Sequence, residues 1–502
     1  MSKSDRNMQQ QRETPKQSLY ATRVRIYPRT VHGRVRTAKW AILIACLAVY
    51  YILPWIRWHR GQGQPDQAVL LDISAERFYF FGLELWPQDM WVLAGLMIMG
   101  AVTLFLVTSI VGRVWCGYAC PQTVWTDLFM WVERAIEGDR AERMARDAAP
   151  LTADTIWKKA LKHWIWLGIA FWTGGAWIMY FTDAPTVVVD FWTLQAPMPV
   201  YFFTGLFTLT TYLLAGWARE QVCTYMCPWP RFQSAMLDDQ SITVTYQAWR
   251  GEPRRRGRNR GPSQDMAGSQ AKAGDCVDCG VCVQACPTGI DIRDGIQLEC
   301  INCGLCMDAC DTVMKRINRP TGLITWDTLA GQKAKEAGRH EALKLFRART
   351  MIYVGVLSLA AVVLLGSLVG RATVNLSVQR DRAPLFVRAP DGSLRNGFTV
   401  KVVNKAALNR VFNLRIEGLP GAKLANASGN AQPETTLPIL APADQVETVR
   451  VLVTARPARL EDGSIPVTFV LRDTASGVET VYHSIFMGPP GYGAGPQAGT
   501  HP

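Results

Sequence analysis

Five stretches of this chain are apolar and long enough to cross a bilayer, and no other feature narrows its fold so far. A helix needs roughly 17–25 residues to span the hydrocarbon layer. Trp40–Ile56, Trp91–Gly112, Trp164–Thr182, Val200–Trp217 and Met351–Gly370 reach that length. The first begins at Lys39, stops at Arg57 and follows a charged leader of 39 residues with no small-residue cleavage site. It reads as an anchor rather than a signal peptide. Hydrophobic residues make up 49% of the 502, yet 54 Lys+Arg and 41 Asp+Glu need water. A membrane protein with sizeable soluble parts satisfies both demands.

Loop charges give the orientation, because cytoplasmic loops carry the excess of Lys and Arg. The arm before the first span has ten Lys/Arg against two acids, and the loop 57–90 has three against five. The loop 113–163 is basic again, the connection 183–199 has no Lys or Arg, and 218–350 is strongly basic. Five crossings therefore alternate with the N-terminus inside and the C-terminus outside, which fits a bacterial inner membrane with a periplasmic C-terminal part. The run "RRRGRNR" at 254–260 follows the same bias as a solvated linker near anionic head groups. It has no interleaved aromatics, so nucleic acid is not expected as a partner.

The strongest chemical signal is "CVDCGVCVQACP" followed by "CINCGLCMDACD". Both repeat C-x2-C-x2-C-x3-C, the run that wraps a cubane iron–sulfur cluster. The fourth cysteine of each run lies too far along to close the same cube and ligates the other one. Cys276, Cys279, Cys282 and Cys310 are thus expected to hold one 4Fe-4S cluster, and Cys300, Cys303, Cys306 and Cys286 the second. Gly280 and Gly304 suit tight loops close to sulfide. Asp311 stands where the first run has Pro287. Zinc is the competing reading, but zinc sites pair two close cysteines with two distant ligands. Two cubanes with every iron thiolate-bound store and pass single electrons, so this segment reads as a bacterial-type di-cluster ferredoxin on the cytoplasmic side.

Four more cysteines form two pairs, "VWCGYACPQT" and "VCTYMCPWPR". Cys116 and Cys120, and likewise Cys223 and Cys227, are spaced i, i+4, as on one helix face. Pro121 and Pro228 then end or kink the helix. Both pairs follow spans running from outside to inside, so four thiols converge at the cytoplasmic boundary. Buried structural cysteines and a redox dithiol are open readings, and a thiolate metal site is the favoured one. Soft sulfur suits Cu(I), zinc or iron–sulfur species. Met97, Met99 and Met226 offer thioethers, although methionines in such helices more often pack. Cys46 reads as a small core residue, and the six histidines show no ligand spacing.

From about 371 the pattern changes. "FTVKVVNKA" and "ETVRVLVTA" alternate apolar and polar residues, with "PDGS", "RNG", "LPGA" and "EDGS" as turns between them. About seven short strands predict an immunoglobulin-like β-sandwich. The chain divides into a basic arm (1–39), four spans with the paired motifs (40–218), the ferredoxin-like insertion (219–350), a fifth span (351–370), the outer sandwich (371–490) and a flexible end (491–502). The fold class is a polytopic α-helical membrane protein of five spans carrying two soluble domains.

Together the cysteine runs, the paired C-x-x-x-C-P motifs, the spans and the sandwich resemble one family along nearly the whole chain. It is the family of cytochrome c oxidase accessory proteins CcoG, also called FixG or RdxA. "RIYPRTVHGRVRTAKW", "WCGYACPQTVW", "CTYMCPWPRFQ" and "DRAPLFVRAPDGSLRNGFTVKVVNK" carry the likeness. The resemblance implies reduction of Cu(II) to Cu(I) for assembly of the cbb-type oxidase, a cupric reductase activity. Oxidase subunits or copper chaperones would then be partners, with a cytoplasmic electron donor and membrane lipid. A homo-oligomer is among the assemblies the sequence allows. An electron conduit fed by quinol or a periplasmic redox protein, and a redox-sensing scaffold, are the alternatives.

Overall fold

The structure is a computed structural model and describes residues 25–60, 64–254, 274–370, 373–406, 408–428, 432–457 and 463–490. It divides into two compact units at Leu364. Within the first unit the helices are α1 Arg34–Ile52, α2 Met90–Val111, α3 Val114–Tyr118, α4 Pro121–Glu137, α5 Arg140–Ala148, α6 Ala153–Ile178, α7 Ala184–Trp192, α8 Met198–Thr211 and α9 Trp229–Met236. The ferredoxin region adds α10 Val281–Ala285, α11 Leu305–Arg316 and α12 Leu329–Glu336, and α13 Ala348–Val369 crosses into the second unit.

Among the described residues four helical stretches are long and apolar enough to cross a membrane: Arg34–Trp55, Met90–Val111, Met198–Ala218 and Ala348–Leu368. The remaining expected span, Trp164–Thr182, lies mostly within α6, which is helical for 26 residues but is not among those four. Its apolar half is built largely of tryptophan and glycine, and its first turns carry Lys158, Lys159 and Lys162. It packs lengthwise on α8, so closely that a Cβ on Gly174 would sit 2.7 Å from the Thr204 carbonyl. Span four does not stay a regular helix to its end. It loosens into π turns at Tyr212–Ala218 and again at Val222–Met226, with Arg219 between them at φ 48°. The loop 57–90 holds an antiparallel sheet, β1 Val69–Asp72, β2 Arg77–Phe80 and β3 Leu83–Leu85, that no alternating run in the sequence announced.

The cysteine runs sit between two strands that pair antiparallel, β4 Thr243–Tyr246 and β5 Ile324–Asp327. This pairing brings the two ends of the insertion together and closes its core. That core combines Val244, Ile292, Met314, Leu323 and Ile324 with the thiols of Cys276, Cys282 and Cys310. Arg254 opens the basic run, and the rest of that run lies outside the described residues.

The second unit is a sandwich of two antiparallel sheets. One has the order β10 Lys423–Asn426, β12 Gln445–Ala455, β8 Leu394–Asn404 and β6 Val374–Arg380, with β7 Val387–Arg388 on β8. The other runs β11 Thr436–Ala441, β9 Arg410–Glu417, β13 Ser464–Asp473 and β14 Glu479–Met487. Phe398, Val400, Phe412, Leu414, Leu424, Val453, Phe469 and Phe486 meet between the sheets and are fully buried. Alternation along β8 and β12 puts one side chain in two into that layer. Among the described residues nine strands replace the expected seven or so, because β7 and β10 are too short to show a period.

Candidate functional site

The two cysteine runs fold alike. In each, the residue before the second cysteine and the glycine after it take left-handed backbone: Asp278 (φ 50°) and Gly280 (φ 65°), Asn302 (φ 57°) and Gly304 (φ 72°). Glycine adopts that conformation without steric cost, and Asn and Asp tolerate it best among the others. The repeated pair winds three cysteines around one point, the third opening a helix. The fourth, Cys286 or Cys310, follows at the end of α10 or inside α11.

Packing of α10 beside α11 then exchanges the fourth cysteines. The thiol of Cys310 lies within electrostatic reach of Cys276, Cys279 and Cys282. Cys306 lies within reach of Cys300, Cys303 and Cys286, and also of Cys282. A cavity is lined by Cys286, Cys300, Cys303 and Cys306, with Cys282 and apolar Val244, Ile290 and Ile292. Burial pushes Cys300 and Cys310 up to about 12 and Cys282 to about 11, and moves Cys303 and Cys306 the same way. Thiols held so become ligands only as their protons leave on metal binding. Soft donors, a dry lining and two looped cradles fit iron–sulfur clusters.

In the membrane-boundary motifs the break falls between the cysteines rather than after them. Cys116 lies in α3, but Cys120 is extended (φ −60°, ψ 129°) and Pro121 opens α4. Cys223 lies in a π turn, Cys227 is extended (φ −79°, ψ 122°), and α9 starts one residue past Pro228. Proline disfavours helical backbone in the residue before it and suits the first helical position. The i, i+4 spacing therefore marks a corner, not a shared helix face. The thiols of Cys116, Cys120, Cys223 and Cys227 lie within electrostatic reach of one another, but among the described residues no three of them stand close enough to hold one metal ion. Burial raises Cys116 to about 11 and Cys223 to about 12, and raises Cys120 as well. Gln122 joins the two corners, donating to the carbonyls of Leu214 (2.8 Å) and Arg219 (3.1 Å). Beside the second pair a cavity of about 330 Å³ is lined by Cys223, Met226, Cys227, Arg231 and Glu299. Met97 and Met99 sit in the middle of α2, more than ten residues from its end, and do not join the thiols.

The thiol corner rests directly on the second cysteine run. Cys116 packs on Ile301, Cys303 and Leu305. The Tyr118 hydroxyl donates to the Cys303 carbonyl at 3.0 Å. Contact this close needs the bare Cα of Gly117, where a Cβ would stand 2.7 Å from the Ile301 carbonyl. The Cys116 thiol donates to Gln233 Oε1 (3.1 Å), and so does Arg113 Nε (3.3 Å). Arg113 also donates to the Leu298 carbonyl. Asn302 fastens the loop from the other side, accepting from the Val244 amide (2.6 Å) and donating to the Val111 carbonyl that ends α2 (3.2 Å).

The sequence marks the N-terminal arm only by its excess of positive charge. Its described part instead straps the ferredoxin region to the first span. Val31 is buried with Ala285 and Ala309, and the Arg29 amide donates to the Gln284 carbonyl (2.8 Å). Asp308 of α11 accepts from the Arg36 amide (2.8 Å), so a ferredoxin carboxylate caps α1. Arg36 and Lys39 then pair with buried Asp127 at 2.7 and 3.5 Å. Arg36 and Asp308 carried no short-range signal that could have marked them.

A chain with membrane-crossing helices, two cubane cradles and a cluster loop seated on a thiol corner is a membrane-associated iron–sulfur electron-transfer protein. Residues 218–329 match the family model for a 4Fe-4S dicluster domain, and residues 93–137, with Cys116 and Cys120, match a 4Fe-4S binding domain. Residues 364–489 match the IG-like fold at the C-terminal of FixG. The "Nitrogen fixation protein FixG" of Rhizobium meliloti (strain 1021) is 45% identical over 494 residues, covering 93% of each chain. "Protein RdxA" of Cereibacter sphaeroides is 44% identical, over 91% of this chain and 93% of its own. "Protein RdxB" from the same organism is 43% identical, over 95% and 98%. The chain belongs to the FixG/RdxA family.

Proposed function

We propose that the protein reduces Cu(II) to Cu(I) at the corner formed by Cys116, Cys120, Cys223 and Cys227, for assembly of a cbb-type cytochrome c oxidase. The observation that carries this reading is the packing of Cys116 on Ile301 and Cys303, with the Tyr118–Cys303 hydrogen bond beside it. Iron–sulfur clusters would supply one-electron storage here, with Cys276, Cys279, Cys282 and Cys310 to hold one of them and Cys300, Cys303, Cys306 and Cys286 the other. The second set lies on the membrane side, where its loop touches the thiol corner. Cu(II) gains one electron there, and soft thiolate ligands favour the Cu(I) product. The cavity beside Cys223 and Cys227 gives the metal an entry, with Glu299 on its wall.

Loop charges place the N-terminus and the ferredoxin region in the cytoplasm, with five spans if α6 crosses, and the sandwich in the periplasm of an inner-membrane protein. The sandwich then presents itself to an oxidase subunit or a copper chaperone, while a cytoplasmic donor reduces the ferredoxin region.

A second reading has the same four thiols holding an iron–sulfur species, favoured by the 4Fe-4S binding match over Cys116 and Cys120. Copper and iron content of purified wild type and the four-Cys→Ser variant separates the two. The copper reading expects one copper per chain lost, cluster EPR retained, and cupric reduction abolished in the variant. Unchanged cupric reduction with intact clusters sinks it, and iron lost in place of copper supports the second reading.

A further inference from the structure

At the boundary where the third and fourth expected spans meet the cytoplasm, the first unit has a cavity of about 410 Å³ that the electron-transfer reading does not use. Its wall is a stripe of α6, Lys159, Lys162, His163 and Trp166, facing Trp217 and Arg219 of the loosened end of span four, with Arg25 of the arm on one side. Positions 159, 162, 163 and 166 share one helix face by their spacing.

Five cations gather here around four carboxylates. Glu133 takes Arg143 (2.9 Å), Arg219 (3.0 Å), Lys162 (3.5 Å) and Arg25 (3.6 Å). Glu137 takes Lys162 at 2.7 Å. Asp147 is shared by Arg25 (2.6 Å) and Lys159 (2.9 Å), and Glu220 stands on the wall. Glu133 and Glu137 are 1% and 3% exposed and lie behind the cations, not in the cavity lining. Lys162 and Arg219 line the cavity although their side chains are only 4% and 9% exposed. A cavity faced by cations, with its carboxylates mostly set behind them, favours an anion.

The depth of the opening says which anion. Trp217 on the rim is 67% exposed and Trp164, on the neighbouring turn, 74%. Exposed tryptophans at span ends mark the head-group level of a bilayer, and basic pockets between helices at that level take phosphate-bearing head groups. We propose that this cavity binds the head group of an anionic phospholipid. Lys159, Lys162, Arg25 and Arg219 hold the phosphodiester, and Trp217 borders the acyl chains. The lipid then braces the π-turn end of span four, four residues before Cys223.

Free phosphate offers the same charge, so the test has arms for both sources. The full chain in neutral detergent is titrated with phosphatidylglycerol, phosphatidylcholine or inorganic phosphate, reading the thermal midpoint and the lipid retained. Phosphatidylglycerol is expected to raise the midpoint and to be retained at about one per chain, while phosphatidylcholine does neither. Lys159→Gln and Arg25→Gln, both at partly exposed positions, are each expected to weaken retention roughly fivefold. Their lipid-free midpoints show whether they fold as the wild type does. Equal responses to the two lipids, unchanged retention in both folded variants, or a full response to inorganic phosphate alone would overturn the proposal.

Discussion

Arg113 is a buried cation, 5% exposed, and among the described residues no carboxylate lies within ion-pair distance of it. Its guanidinium is instead within reach of thiols from both sulfur sites, Cys116 and Cys223 at the corner and Cys300 in the cluster loop. An unpaired buried charge is costly, and it persists where something negative needs it. Electron arrival adds negative charge on either side of Arg113, so the cation favours the reduced state. Arg113→Gln keeps the hydrogen bonding to Gln233 and removes the charge. It is expected to lower the midpoint potential of the centre proposed at Cys300, Cys303, Cys306 and Cys286 by on the order of 60 mV, a tenfold change for a one-electron couple. An EPR-monitored redox titration reads this directly, and an unshifted midpoint removes Arg113 from the argument. In the sequence Arg113 was one of eight cations in a basic loop. What singles it out is the approach of Leu298, 185 residues away, which no local pattern encodes.

Helix α4 shows which element-level features a sequence discloses and which it conceals. Its start was written in the proline that follows Cys120, though that proline was read as a stop, because either role fits an isolated C-P step. Its inward face holds Asp127, Glu133 and Glu137, all buried, whose partners come from the arm, α5, α6 and the end of span four. Such long-range pairs leave no period. The cysteine spacings and the β8 and β12 alternation were legible because both are local geometry. Glu133 yields a measurable consequence. Burial alone would raise its carboxyl, but Arg219, Lys162 and Arg143 outweigh burial and hold it at about 2. Its folded value lies below the ordinary 4.5, so the stability it adds is complete above pH 4.5 and is lost as the pH falls toward 2. Glu133→Gln strands Arg143 and Arg219, which have no other carboxylate among the described residues, and is expected to cost about 3 kcal/mol at pH 7. The gap between wild-type and variant midpoints should then narrow steadily on acidification through that window. Thermal unfolding at a series of pH values checks it, and a gap independent of pH means the carboxylate's charge is not what stabilises the hub.

For the whole molecule the open quantity is the number of crossings, and α6 decides it. If α6 crosses, the count is five, and the sandwich lies on the opposite side from the N-terminal arm. If it lies at the interface, the count is four and the sandwich shares a side with the arm. Composition leaves α6 short of the apolar standard the other four meet. Two observations argue that it crosses. The start of α1 touches the ferredoxin region through the Arg36–Asp308 hydrogen bond, so an even number of crossings separates the two, and without α6 there are three. Helix α6 is also packed along α8, whose own apolar character is not in doubt, and a helix lying flat at the surface would touch a spanning helix only at one end. Charge agrees, because the connection 183–199 lacks Lys and Arg while both flanking loops are basic. The sandwich contains no cysteine, so a single reporter can be placed there without background from its own unit. Ala475→Cys puts one on the exposed turn between β13 and β14. Intact cells treated with a membrane-impermeant maleimide should label Ala475→Cys at this turn, while Lys333→Cys on α12, at a side chain 71% exposed, should label only after permeabilisation. Labelling of the turn only after permeabilisation would return the count to four and move the sandwich to the cytoplasmic face. An oxidase subunit on the periplasmic side would then no longer be within its reach.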